Sequence, residues 1–123
     1  MKIEKIDIYT LNVSIKIPIN TPLGTIDKAE NVAIKTTTDK GIIGWGEASP
    51  CAMITGDTQE SNYVIAQTMA RMILGKNALA IESRMKEINS VTVGDSSVRS
   101  AFDMALYDIA AKAANMPLYQ FLG

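Results

Sequence analysis

Apolar and polar positions alternate over the first third of the chain, a period of two that predicts extended strands. In the stretch IDIYTLNVSIKI the apolar side switches between Ile8 and Leu11. Such a switch predicts a β-bulge near Tyr9 and Thr10. Pro18 is expected to end this strand, because proline cannot donate to a sheet ladder. The stretches NVAIKTTT and IIGWGE predict a second and a third strand, joined by a short DKG hairpin loop.

The apolar spacing changes to that of helices in the second half of the chain. Asp57, with Glu60 three residues later, predicts a capped helix start. The apolar faces of three helices are predicted as Ile65, Met69, Met72 and Ile73, then Ile81, Met85 and Ile88, then Val98, Phe102, Ala105, Leu106, Ile109 and Ala113. Pro117 can open one last turn. Strands followed by helices predict an α+β fold, in which a three-stranded antiparallel β-meander precedes a bundle of three to four helices.

Two long connections of this meander are predicted to lie at the same end of the sheet. They are the segment 18–27, which follows the first strand, and the segment 49–57, which follows the third. Both contain Gly and Pro, and long loops held together on one rim are typical of a binding edge. The alternative is that these loops only connect the elements of the sheet and helices.

Composition excludes several classes of function. Twelve Lys and Arg residues oppose thirteen Asp and Glu residues, so the 123-residue chain has a net charge of −1 and lacks the basic excess typical of nucleic-acid binding. No apolar run is long enough to span a membrane, and no signal-peptide pattern begins the chain. The lone Cys51 cannot form an internal disulfide, so a reducing cytoplasm is the expected location.

The sequence predicts no catalytic residue and no metal ligand within this chain. Histidine is absent, which excludes histidine-based triads and metal sites. Glu47 ends a strand and is more readily explained as an exposed carboxylate or a hydrogen-bond partner of the backbone than as a general base. Asp103 and Asp108 are five positions apart on a helix, about 140° around its axis, so they do not converge on one metal ion. Cys51 has no histidine to activate it as a nucleophile.

Three stretches carry a family resemblance: GIIGWGEASP, ITGDT and SAFDMALYDIAAKAANMPLYQFLG. They resemble the N-terminal domain of the enolase superfamily in its mandelate racemase and muconate lactonizing enzyme branch, and ITGDT is most like the dipeptide epimerases. The resemblance implies that residues 1–123 form an N-terminal capping domain. It also implies that the C-terminal (β/α) barrel lies outside this chain. In the family that barrel supplies the catalytic lysines and the carboxylates that hold Mg²⁺, so no cofactor is expected within this chain and the chain is expected to be inactive alone.

The resemblance further implies that two loops of the cap select the substrate. The residues expected to do so are Ile19, Leu23, Gly24, Ile26, Ile54, Thr55 and Gly56. Gly24 matches the position at which relatives selective for Ala-Glu carry an arginine, so a preference for dipeptides with small or hydrophobic second residues is expected. Lys28 is near enough to substitute for that arginine, and Gly24 is equally explained as a turn glycine.

The partners expected from the resemblance are the barrel domain, a dipeptide substrate and further copies of the chain, and the full-length protein is expected to be an isomerase. The exposed apolar residues that would meet the barrel are expected to drive homo-oligomer formation. Two alternatives remain at this point. One is a cap of another racemase, cycloisomerase or dehydratase of the same branch, and the other is a stand-alone interaction module that reuses the cap fold.

Overall fold

The computed structural model describes residues 1–123 and contains three strands followed by five helices. The strands are β1 (Ile3–Thr21), β2 (Gly24–Thr38) and β3 (Ile43–Ala48), and the helices are α1 (Ala52–Thr55), α2 (Gln59–Ile73), α3 (Ile81–Asn89), α4 (Ser96–Ala113) and α5 (Leu118–Leu122). The sheet is antiparallel throughout with the order β1-β2-β3, so the predicted α+β fold and meander are confirmed. None of the five helices combines the length and the apolar character needed to cross a bilayer.

The core lies between one face of the sheet and helices α2 and α4. Val32 and Ile34 of β2 are fully buried there, as are most of the predicted apolar positions of α4. The predicted face of α2 is confirmed at Met69 and Ile73, which are buried, whereas Met72 is exposed. Helix α4 therefore supplies the central apolar stripe on which the strands pack.

Helix α4 also covers the outer edge of β3. The backbone N–H of Trp45 donates to Asp108 Oδ2 at 2.9 Å, and Lys112 Nζ donates to the backbone oxygen of Ile43 at 2.7 Å. Asp108 and Lys112 form an ion pair at 3.0 Å with each other. These side chains form hydrogen bonds with backbone groups of β3 that an edge strand would otherwise present to another chain.

The predicted bulge in β1 is wrong. Pairing runs without interruption from Ile8 opposite Ile34 through Tyr9 to Thr10, and irregularities occur only between residues 3 and 5 and between residues 14 and 19. The apolar side switches because β1 packs on two different faces: Ile8 points to the core, whereas Tyr9 stacks on Trp45 on the opposite face.

Pro18 does not end β1, which continues to Thr21 and turns back into β2 at Gly24. β1 is an edge strand and Pro18 lies within its second irregularity, where a missing N–H breaks no regular ladder. The segment 18–27 is therefore a projecting β-hairpin and not a loop.

Candidate functional site

The projecting hairpin and helix α1 lie side by side at one end of the sheet. An ideal Cβ on Gly24 would be 3.5 Å from the sulfur of Met53, which belongs to α1. The connections that the sequence predicted to share a rim are thus in contact, although one is a hairpin and the other contains a short helix.

A cleft of about 520 Å³ lies between the hairpin arm and the segment that joins β3 to α2. The hairpin arm is the paired outer part of β1 and β2, from Asn12 to Asn31, and it includes the projecting hairpin. Ile19 and Ile26, which pair across the hairpin, line its first wall, and Met53 and Asp57 line the second. Two of the seven predicted specificity residues, Ile19 and Ile26, therefore face the cleft itself.

The other five predicted residues do not line the cleft; they belong to the two segments that form its walls, and we refer to these five residues as the rim. Leu23 and Ile54 are 63% and 70% exposed, one at the tip of each segment, and so present apolar surface to solvent. Gly24 has φ 146° and Gly56 has φ 78°, backbone conformations that favour glycine. Gly56 closes α1, where its N–H donates to the oxygen of Ala52 at 3.2 Å.

Asp57 is not the N-cap of α2, as the sequence predicted; Thr58 is, in a capping box with Ser61. The Asp57 carboxylate instead accepts hydrogen bonds from Thr55 Oγ1 and from Asn62 Nδ2, the latter at 3.0 Å. Burial alone would raise the pKa of Asp57, but hydrogen bonds from Thr55, Asn62, its own backbone and Ser97 outweigh that effect and hold the pKa below its usual value. The only signal in the sequence for these hydrogen bonds around Asp57 is Asn62, a polar residue on the otherwise apolar, buried face of α2.

The only cation that lines the cleft is already paired. Lys28 Nζ lies 3.1 Å from Glu30 Oε1, and this hydrogen bond and the charge of Glu30 raise the pKa of Lys28. The Lys28 side chain is 62% exposed, and so exposed an ion pair contributes little, so a ligand anion can compete with Glu30 for Lys28.

Amide side chains connect the hairpin arm to α2. Gln59 Nε2 donates to Asn12 Oδ1 at 2.8 Å and to the backbone oxygen of Asn31 at 2.9 Å. Asn31 Nδ2 in turn donates to Glu47 Oε2. Glu47 therefore has a structural partner that the sequence did not reveal, and the arm is held against the start of α2.

No metal centre or nucleophilic set is assembled in this cleft. Nowhere in the chain do three carboxylate, thiol or imidazole side chains come together. The half-buried Cys51 is the N-cap residue of α1 and has no histidine beside it. The residues present therefore do not fit a Mg²⁺ site.

Relatives of known activity share this domain. The D-Ala-D/L-Ala epimerase of Cytophaga hutchinsonii is 37% identical over 123 residues, which are 100% of this chain and 33% of that protein. The L-Ala-D/L-Glu epimerase of Bacillus subtilis is 38% identical over 124 residues, covering 100% of this chain and 34% of that protein. The chain thus spans about a third of the length of the curated relatives it matches.

Solved structures give the same fold. The dipeptide epimerase of Cytophaga hutchinsonii, complexed with Mg and the dipeptide D-Ala-L-Val, superposes with a TM-score of 0.96 at 36% identity, over 100% of this chain and 33% of that one. The family model for the mandelate racemase / muconate lactonizing enzyme N-terminal domain matches residues 5–123. By sequence and by fold, this chain belongs to the family of mandelate racemase / muconate lactonizing enzyme N-terminal domains.

Proposed function

We propose that this chain is the substrate-specificity cap of a dipeptide epimerase-like isomerase and is inactive alone. The observation that carries the proposal is the contact between the hairpin and α1, which places Gly24 against Met53 and builds an apolar rim over a cleft. A recognition surface with no catalytic set suits a domain that closes over chemistry performed elsewhere. The relatives, about three times as long as this chain, have room for that chemistry.

In the full-length protein we propose Mg²⁺-dependent removal of the proton α to a carboxylate, with its return to either face. The metal and the bases would belong to a C-terminal barrel domain, which is the proposed partner of this chain. The support is the related epimerase complexed with Mg and a dipeptide. The lone Cys51 is consistent with a reducing cytoplasm as the site of action.

The substrates we propose are dipeptides whose second residue is small or hydrophobic. Ile19, Leu23 and Ile54 present apolar surface, and Gly24 has no side chain with which to pair a substrate carboxylate. Lys28 lines the cleft and pairs with Glu30, and its ammonium lacks the bidentate geometry with which an arginine binds a carboxylate. Selectivity for Ala-Glu would therefore require a cation that this rim lacks.

The experiment uses a hybrid enzyme, in which residues 1–123 replace the matching 123 residues of the Cytophaga hutchinsonii epimerase. Exchange of the α proton with deuterated solvent is followed by NMR for a set of L-Ala-L-X dipeptides with Mg²⁺ present. We expect exchange with the hybrid, highest kcat/KM for small or hydrophobic X, and no exchange with the 123-residue chain alone. Gly24→Arg should raise kcat/KM for Ala-Glu relative to Ala-Val.

Two results would contradict this proposal. Turnover by the isolated chain would place the chemistry within it, and a hybrid that prefers Ala-Glu without the Gly24→Arg change would overturn the specificity argument. Activity on other carboxylates but not on dipeptides would favour the cap of another racemase, cycloisomerase or dehydratase of the same branch.

A further inference from the structure

Asp57 is a buried carboxylate that has no cationic partner. The residue is 6% exposed, and none of the five ion pairs of the structure includes it. A buried charge is costly unless hydrogen bonds replace its water. The donors that surround Asp57 therefore determine how it is held, and they come from two different helices, α1 and α2.

Asn62 of α2 donates the first of these hydrogen bonds, and this bond sets the orientation of the Asn62 side-chain amide. Both amide hydrogens are used, one by Asp57 Oδ2 at 3.0 Å and the other by the backbone oxygen of Thr58 at 2.8 Å. Asn62 is fully buried, and its Oδ1 has no partner. An orphaned buried acceptor is costly, so the two donor bonds must outweigh it and keep the amide in this orientation.

Thr55 gives the second bond through a hydroxyl with a single proton. Two acceptors lie within its reach, the backbone oxygen of Cys51 at 3.0 Å and the Asp57 carboxylate. A charged acceptor forms the stronger bond, so Asp57 is the favoured partner. One carboxylate thus connects the end of α1 to α2.

Helix α1 depends on this connection because it has little else to hold it. It is four residues long, none of its residues is buried, and Cys51 provides no side-chain cap. Isolated helices of this length are unstable in water. Its backbone bonds, such as the one from Thr55 N–H to the oxygen of Cys51 at 2.8 Å, form only while the segment stays in place.

We propose that Asp57 is the positioning residue of this cap, because through Thr55 it fixes α1 so that Met53 stays against Gly24 and Ile54 stays on the rim. Without the carboxylate, the core remains folded and the second wall of the cleft becomes mobile. The consequence for substrate selection rests on the proposed function, whereas the anchoring of α1 does not.

The anchoring is tested on the 123-residue chain with Asp57→Asn and Thr55→Val. Thr55→Val leaves the bond between Asp57 and Asn62 intact, so it reports on α1 even if Asp57→Asn fails to fold. The matched controls are Asp103→Asn on α4 and Thr37→Val on β2, which change the same chemistry away from the cleft. Methyl relaxation of Ile54 and amide hydrogen exchange within residues 52–56 are measured by NMR.

Both test variants should lower the order of the Ile54 methyl groups and speed amide exchange in residues 52–56 by about tenfold or more, with the amides of β2 and α4 unchanged. Thr55→Ser, which keeps the hydroxyl, should restore the wild-type values. If α1 in Thr55→Val is as ordered as in the wild type, or if protection falls equally in α1 and the core, the proposal is overturned.

Substrate selection is tested in the hybrid enzyme by measuring KM and kcat separately for each dipeptide. The Asp57→Asn and Thr55→Val variants should raise KM for the preferred dipeptides severalfold, with kcat little changed. The difference in kcat/KM between preferred and poor substrates should become smaller. The two control variants should match the unmodified hybrid. Loss of α1 order with unchanged kinetics would contradict a role for this wall in selection, and an inactive unmodified hybrid would count against the proposed function while the NMR result still decides the role of Asp57.

Discussion

Gly46 of β3 lies directly against the backbone of Ala101 in α4. An ideal Cβ on Gly46 would be 1.7 Å from the carbonyl oxygen of Ala101, and one turn along the helix Gly44 meets Ala105 in the same way, at 2.1 Å. Real Cβ atoms do not approach backbone oxygen so closely. The two glycines therefore allow α4 to lie on β3 without a side chain of the strand between them.

Gly46→Ala should destabilise the fold by about 3 kcal/mol or more, because the methyl group forces the helix away from the strand. Gly75→Ala is the matched comparison, since Gly75 has φ 80° and no atom within 4 Å of its ideal Cβ. That variant should lose only about 1–2 kcal/mol, the cost of a left-handed conformation. Urea unfolding of both variants measures the difference. Gly46 itself has no positive φ, so a loss no larger than that of Gly75→Ala would show that the strand and helix accommodate the methyl group and that the close contact does not require glycine.

The stretch GIIGWG illustrates which features the sequence could predict. Alternating and helical spacing identify the strands, the helices and their apolar faces, because these depend on local periodicity. The contact of Gly44 and Gly46 with α4 depends on which helix crosses which strand, and periodicity does not contain that information. A glycine within a strand indicates a close approach without naming the partner.

In the candidate site, too, the sequence predicted what depends on local pattern and topology and missed what depends on tertiary contacts. The sequence placed the two segments at one end of the sheet, since meander topology requires it. It did not show that Pro18 lies within a continuing edge strand, because the irregularity that accommodates it is a tertiary feature. It assigned Asp57 as a helix cap because Asp is a good N-cap residue. Thr58 caps α2 instead, and the carboxylate is used by Thr55 and Asn62.

Asp108→Ala should destabilise the domain by about 1–2 kcal/mol and promote association through the edge of β3. The change leaves the N–H of Trp45 without its acceptor and removes the ion pair with Lys112. Asp103→Ala, on the same helix and without a hydrogen-bond partner, is the control. Urea unfolding and light scattering test the prediction. It fails if the two variants behave alike.

Thr58→Ala should cost about 1 kcal/mol, since it removes the side chain that accepts from the N–H of Ser61 at 3.1 Å. Glu60→Ala should cost only about 0.3 kcal/mol, through the helix dipole, because Glu60 takes no part in the capping box. Thermal unfolding of the two variants distinguishes these contributions. A larger loss for Glu60→Ala would restore the cap that the sequence predicted.

Stability should fall in acid in a manner that depends on Asp57. Its folded-state pKa lies below the unfolded value of about 3.9, so its contribution is fully present above that pH and is lost as the pH falls through the folded-state pKa. Asp57→Asn should therefore flatten the loss of stability as the pH falls below about 5. Glu87, whose pKa is lowered mainly by Arg84, accounts for a separate part of that loss, and Glu87→Gln should remove it. Parallel curves for Asp57→Asn and the wild type would contradict the assignment.

The 123-residue chain should self-associate through its exposed apolar segments. Tyr119 and Leu122 are 74% and 61% exposed on α5, and no residue of that helix is buried. Leu23 and Ile54 add apolar surface on the rim. Patches of this kind are uncommon on monomers and tend to be covered by another molecule.

Light scattering at increasing concentration should give a mass above the 13.3 kDa of one chain. The double variant Tyr119→Ser and Leu122→Ser should shift the mass toward that of the monomer without lowering stability, because neither side chain contributes to the core. Val64→Ser, at an equally exposed position on α2, should leave association unchanged. A wild-type chain that stays monomeric at millimolar concentration would rule out self-association. An effect of Val64→Ser equal to that of the double variant would instead place the contact away from α5, and the rim residues Leu23 and Ile54 would be the next to test.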